Sequence, residues 1–174
     1  MKTIGLLVCL SLSGALVWAQ SASDPLIGSV KGIYTISKTN IAASAEKMPE
    51  ENYSFKPTPE VRSFGQIIGH IADAQYLFCS GALGEKNPAP GIEKSKTSKV
   101  DLVKALNDAF AYCDKAFSAT TDAHAADAVK FFGRDTTKLG MLTFDAAHNM
   151  EHYGNLVTYM RIKGLVPPSS EQRK

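Results

Sequence analysis

The chain has 174 residues, 44% of them hydrophobic and 21% charged, a composition that suits one soluble globular domain and is short for two. Nineteen Lys+Arg against 17 Asp+Glu leave a formal charge of +2 with no block of like sign. That argues against a nucleic-acid surface or an electrostatic funnel for acidic substrates. Three cysteines cannot build a disulfide framework in a domain of this size, and the 13 glycines and 8 prolines are too scattered for a fibrous or low-complexity chain.

The first 19 residues are expected to lie outside the fold as a signal peptide. Lys2 supplies a positive start, Ile4 to Val17 is apolar or small throughout, and Val17 and Ala19 place small residues at −3 and −1 of a cleavage site. The apolar run is shorter than the roughly 20 residues of a spanning helix. Cys9 sits inside it, after Leu7-Val8, which does not suit a lipidation site. The expected product is a periplasmic or secreted protein, residues 20–174, with no membrane attachment after cleavage and a net charge of +1.

Four stretches of the mature chain carry helical period, and none carries sustained strand alternation. The first opens at Asp24-Pro25, an N-cap followed by proline at the first helical position, and repeats Leu26, Ile27, Val30, Ile33, Tyr34 and Ile41 along one side. A proline-rich connector follows. The second begins at Ser63, where Gln66 can close a capping box, and buries Phe64, Ile67, Ile68, Ile71, Leu77 and Phe78 before ending near Gly81. Residues 82–97 form a polar loop long enough to cross the length of a bundle. Ser98 caps the third helix, whose stripe is Leu102, Val103, Leu106, Phe110, Cys113 and Phe117. Residues 120–136 read as irregular, and the fourth helix runs from about Thr137 to Lys163, closed by Gly164 with Pro167-Pro168 beyond. One four-helix bundle results, an all-α fold.

The fourth helix holds His148-Asn149-Met150-Glu151-His152. Residues four apart lie about 40° apart on successive turns, so both imidazoles can aim at one point roughly 2.0–2.1 Å from each, a metal-ligand distance. Met141, Asp145 and Tyr159 share that ridge, at the edge of an apolar arc centred on Leu142, Tyr153 and Met160, where a site stays partly open. His70, between Ile67, Ile71 and Ala74 on the second helix, faces inward and completes a three-nitrogen set with positions left for water or substrate. No cysteine is near, since Cys79 lies nine residues, about 13 Å of helix, beyond His70. His124, in TDAHAAD, reads as exposed. The string His-x-x-Glu-His also matches inverted zinc peptidases, with Glu151 as general base, but no distal glutamate ligand stands out and such enzymes are much larger.

The segments Met48-Pro49-Glu50-Glu51, Tyr53, Lys56-Pro57-Thr58-Pro59, Val61 to Gln66, Gly69 to Ala74, His148 to Gly154, Gly164 and Pro167-Pro168 together resemble DinB/YfiT-like proteins, the superfamily of metal-dependent hydrolases and thiol transferases. The resemblance covers essentially all of the mature chain. It implies helices in up-down-down-up order and a divalent metal, zinc or nickel, on His70, His148 and His152. Where that family often carries arginine after the final histidine, this chain has Tyr153, which weakens any transfer of substrate contacts.

Asp73, Asp145 and Glu151 are the candidate bases, and none is singled out. Should the second and third helices run parallel, Cys79 and Cys113 come to similar heights; the apolar stripe under Cys113 favours two buried thiols over a disulfide. Arg134, a lone loop arginine after Phe131-Phe132-Gly133, reads as solvated. Three readings compete: a metal-dependent hydrolase or thiol transferase acting on a small molecule, a metal-binding or stress-associated bundle without turnover, and a plain helical partner protein that binds no metal. Export weighs against thiol transfer, because low-molecular-weight thiol cofactors are mainly cytosolic. A homodimer is the one protein assembly in view.

Overall fold

The computed structural model describes residues 24–171; the expected signal peptide, its cleavage site and Cys9 lie outside them. Four long helices, α1 (Pro25–Lys47), α2 (Phe64–Leu83), α4 (Lys99–Ala119) and α5 (Lys138–Ile162), enclose one apolar core, and a four-residue α3 (Ile92–Ser95) sits in the connection between α2 and α4. Paired contacts fix their directions. Cys79 of α2 meets Cys113 of α4, and the Gly69 backbone abuts Leu102, so these two helices run parallel. Lys31 reaches Ser118 while Lys99 donates to the Glu46 carbonyl, so α1 opposes α4. Gly81 lies against Met141 and Gln75 against Asn149, so α2 opposes α5. Because α2 and α4 are parallel neighbours, the chain must travel the bundle's length between them, and α3 is carried on that crossing.

The starts of the four long helices follow local chemistry with one exception. Ser63 Oγ accepts from Gln66 N at 3.2 Å and Ser63 N donates to Gln66 Oε1 at 2.8 Å, a full capping box. Ser98 and Thr137 cap α4 and α5 through Asp101 N and Gly140 N. Asp24 does not cap α1, contrary to the expectation. Its carboxylate accepts from Asp122 N, and Asp122 returns the contact by accepting from Leu26 N and Ile27 N, each at 3.0 Å. The α1 cap is thus borrowed from a turn nearly a hundred residues on.

Three further expectations are corrected. Leu26 and Ile33 are exposed, because α1 packs only its Ile27–Tyr34–Ile41 side inward. Residues 120–136 are not all irregular: β1 (Ala128–Phe131) and β2 (Arg134–Thr137) form an antiparallel hairpin that seats Phe131 on Phe78 and Phe144, with ring centroids 5.4 and 5.3 Å away. Its tip places Phe132 at φ 47°, a left-handed conformation that costs a non-glycine residue roughly 1 kcal/mol or more. Lastly, Cys79 and Cys113 are joined by a disulfide, their Cα atoms 5.2 Å apart. An apolar stripe does not forbid the bond when two parallel helices bring both sulfurs to one level.

Closing a loop across a 34-residue separation is worth roughly 3–4 kcal/mol through the unfolded chain. Urea unfolding of a Cys79→Ala/Cys113→Ala variant is expected to lose that amount relative to the oxidised protein. The denatured, unreduced chain beginning at residue 20 should titrate no free thiol.

Candidate metal centre

The mid-bundle contact of α2 with α5 brings the three expected histidines together. His148 Nε2 lies 3.2 Å from His70 Nε2 and 3.1 Å from His152 Nε2. Metal–nitrogen bonds of about 2.05 Å spanning such edges subtend roughly 100° at the ion, between the angles of octahedral and tetrahedral sites. A hydrogen on His148 Nε2 could serve only one of its two neighbours, so a purely hydrogen-bonded trio leaves one contact between facing lone pairs. A cation at the centre resolves this, and the donor set fits one.

The other ring nitrogens set the tautomers. His70 Nδ1 lies 3.3 Å from Glu93 Oε2, and Glu93 Oε1 accepts from Arg62 Nε at 2.9 Å. With its hydrogen on Nδ1, His70 turns a bare Nε2 to the centre, the usual arrangement behind a metal-ligating histidine. Asn155 Nδ2 lies 3.3 Å from His152 Nδ1, and a half-turn of that amide puts its oxygen there to accept from Nδ1–H, the tautomer with a bare Nε2 at the centre. His148 Nδ1 is buried without a protein partner.

Residues that sequence reasoning passed over carry Glu93 to this position. Gly69 lets the α3 turn pack directly on α2, where a Cβ would come within 2.8 Å of Glu93 Cα. Asp73 then accepts from Gly91 N and Ile92 N at 2.8 Å and Glu93 N at 2.9 Å, which satisfies the start of α3. Asp73, a candidate base by sequence, is therefore a structural cap. Its spacing of three from His70 places both on one side of α2, and that side was legible. The role of Glu93 was not, because a four-residue helix has no periodicity to read.

Asp145 is the second candidate base that the structure redirects. It is fully buried, receives Gln75 Nε2 at 2.6 Å, and meets no positive charge, so burial pushes its carboxyl well above the usual range. Asp73 lines a cleft with its carboxylate taken up by α3, whereas Glu151 is exposed on another cleft wall beside His152. His124 is exposed against Asp127, and Arg134 is exposed on β2; neither joins the site. Tyr153 points away from it, exchanging hydrogen bonds with Ser169 at 2.7 and 2.9 Å to pin the C-terminal turn.

The expected edge position of the α5 ridge is also corrected. Met141, Asp145, His152 and Tyr159 are all buried, because α1 and α2 cover α5 from two sides. Access comes instead from two clefts that meet the histidines from opposite flanks. One, of about 340 Å³, is lined by His70 and His148 with Leu77, Phe78, Phe132 and Phe144. The other, of about 630 Å³, is lined by His152 with Arg62, Glu93, Glu151, Asn155 and Tyr159.

With that geometry in view, the sequence profile of the DinB superfamily matches residues 34–156, a span that includes all three histidines. The chain belongs to the DinB superfamily. A curated relative, the uncharacterized protein YjoA of Bacillus subtilis strain 168, is 27% identical over 123 residues, covering 69% of this chain and 79% of its own. Among solved structures, a DinB-like protein from Bacillus cereus ATCC 10987 superposes with a TM-score of 0.72 at 20% identity, covering 82% of this chain and 95% of that one. The crystal structure of B. subtilis YjoA gives 0.67 at 23% identity, over 84% and 99% of the two chains. At these identities the two superpositions establish the fold.

Burial, and then the charge of its neighbours, lowers the His148 ring to about 3 and the His152 ring to about 4; burial and Arg62 also lower His70. In the unfolded chain all three titrate near 6.5. Between those values the unfolded state binds the extra protons, so the metal-free protein is stable above pH 6.5 and loses stability as pH falls below it. Each histidine held neutral contributes roughly 1.4 kcal/mol per pH unit in that window. Urea unfolding of chelator-treated protein from pH 7 to pH 5 should follow this slope, and His148→Gln should flatten it.

Proposed function

We propose that this DinB-superfamily chain is an exported protein that holds one divalent metal ion on His70, His148 and His152 and uses it in hydrolysis or group transfer on a small molecule. The observation that carries the reading is the convergence of three histidines, with His148 Nε2 at 3.1–3.2 Å from the Nε2 atoms of the other two, beside two open clefts. Structural zinc sites are closed by four protein ligands, whereas catalytic sites keep a position free. Here the described residues offer three nitrogens and no fourth ligand in the cluster. Imidazole donors suit zinc and nickel alike.

A divalent ion so held supplies Lewis-acid polarisation of a substrate oxygen, or lowers the pKa of a water or thiol. The protein's own groups do the rest. Glu93 keeps the His70 ring in one tautomer and orientation, and Arg62 holds Glu93 in turn. Arg62 engages Glu93 through Nε, which leaves its terminal N–H groups to an anionic portion of a substrate in the polar cleft. Glu151, on that same wall, is the carboxylate placed to take or return a proton.

Export rests on the apolar N-terminal segment, and the buried Cys79–Cys113 disulfide supports it, since such bonds persist in oxidising compartments. The same compartment favours hydrolysis over transfer to a low-molecular-weight thiol. Intact-mass measurement on protein recovered outside the cytoplasm should give a chain beginning at Gln20. A chain that keeps Met1 and sediments with membranes would contradict export.

A second reading, a metal holder without turnover, is favoured by the engagement of Asp73 and Asp145 in the fold, which leaves Glu151 alone near the centre. Calorimetric titration of tag-free protein with zinc or nickel is expected to give one site per chain. His70→Ala, His148→Ala and His152→Ala should each lower affinity by at least about tenfold, as loss of one of three ligands requires, and His124→Ala should not. Undiminished binding in all three variants would overturn the site. Metal-dependent turnover of small ester, amide or phosphoester substrates decides for the enzyme, and tight binding without turnover of any of them for the holder.

A further inference from the structure

The geometry points to the substrate class: we propose that the smaller cleft is the subsite for an aryl or branched-alkyl group of a small molecule whose polar reacting group lies at the three-histidine centre. This rests on the metal reading above and names what that site takes.

Three observations carry it. The cleft is largely apolar: besides His70 and His148, its polar lining is Asp73 and Asn87, whose oxygens are taken up by the backbone N–H groups of residues 91–93 and of Ala89, so an occupant that fills it lies against the two histidines. Its volume of about 340 Å³ lies at the small end of small-molecule sites. Its rim, in addition, leaves large apolar side chains in water. Phe132 is 79% exposed, Phe144 50% and Leu77 39%, although the period of α2 places Leu77 on the expected buried side. Scattered exposed apolar residues are ordinary, but three around one opening form a patch of the kind that marks a binding groove.

The hairpin tip supports the same reading. Phe132-Gly133 occupies a two-residue turn with φ 47° and 77°, a geometry that asparagine and glycine adopt readily and phenylalanine does not. The aromatic ring packs only on its neighbour Phe131, with centroids 4.3 Å apart, stays largely exposed, and lines the cleft together with Phe144. Strain kept for so little burial is a feature of binding and catalytic segments.

The opposite cleft supplies the contrast. Arg62, Glu93, Glu151 and Asn155 make it charged and polar, so the histidines divide an apolar compartment from a charged one. A molecule with an apolar end and a polar or anionic end has one orientation across such a boundary. The concave shape with histidines at its base suits a small molecule, whereas a second copy of the chain would use the exposed faces around it.

Cobalt-loaded full-length mature protein, titrated with acetohydroxamate and with benzhydroxamate and followed by visible absorption, tests the proposal. Both probes present the same metal-binding group and differ in methyl against phenyl. Benzhydroxamate is expected to bind at least about tenfold more tightly, the return for burying a ring. Phe144→Ala and Phe132→Ser should each remove most of that preference and leave acetohydroxamate affinity within about twofold. Equal affinities in the wild type, or a preference untouched by both substitutions, would overturn the subsite. So would a Phe132→Ser variant that changes only from dimer to monomer, which would make the rim a contact between copies. If cobalt itself does not bind, the metal reading has failed, and the subsite is decided on metal-free protein by titrating benzyl alcohol and observing the His148 and Phe144 ring resonances. Saturable shifts in the wild type, absent in Phe144→Ala, uphold it, and no shift overturns it.

Discussion

Three imidazoles, one of whose Nε2 atoms lies 3.1–3.2 Å from those of the other two, cannot all be charged, and that one nitrogen cannot make a full hydrogen bond to both neighbours. That constraint reaches outward through the bundle. It requires the rings to be held neutral, which burial between α2 and α5 accomplishes. Each ring must also be fixed in rotation, which falls to Glu93 behind His70 and to Asn155 beside His152. Glu93 in turn depends on α3, and α3 depends on two residues of α2: Gly69, which admits its backbone, and Asp73, which receives three of its N–H groups. The stretch from Gly69 to Asp73 is therefore one device. It supplies one histidine of the centre, makes room for the turn behind that histidine, and caps that turn.

The parallel pairing of α2 and α4 belongs to the same account. It forces the long crossing that carries α3, and it sets Cys79 level with Cys113 so that the crossing is bounded at the far end by a disulfide. The two ends of α2 thus serve different purposes, one orienting a ligand and the other tying helices. Between them Gln75, Asp145 and Asn149 form a buried polar group behind the histidines. Burial pushes the Asp145 carboxyl well up, and the charged side chains on the open side of the centre are Arg62, Glu93 and Glu151.

What could be read in advance, and what could not, follows from the range of each signal. The long helices announce themselves by period, and Ser63 and Ser98 by cap chemistry, all within a few residues. An i,i+4 histidine pair needs only helical geometry, and an inward His70 needs only its apolar neighbours. Glu93 sits in a four-residue helix entered through a left-handed Gly91, below the length at which periodicity exists. Asp122 caps α1 from 95 residues away, a partnership no local pattern encodes. The hairpin strands have four residues each, and their Phe-Gly turn lacks the Asn-Gly signature, so the segment looks irregular. The α5 ridge looked like an edge because one helix wheel cannot register two covering neighbours.

X-ray absorption at the zinc or nickel edge of the loaded protein tests the central claim most directly. Three histidine imidazoles bound through Nε2 should give a first shell of nitrogen and oxygen at about 2.0–2.1 Å, with the outer-shell scattering of three imidazole rings and no sulfur. A sulfur shell at about 2.3 Å, or scattering from fewer than two imidazoles, would place the metal elsewhere and contradict the three-histidine centre.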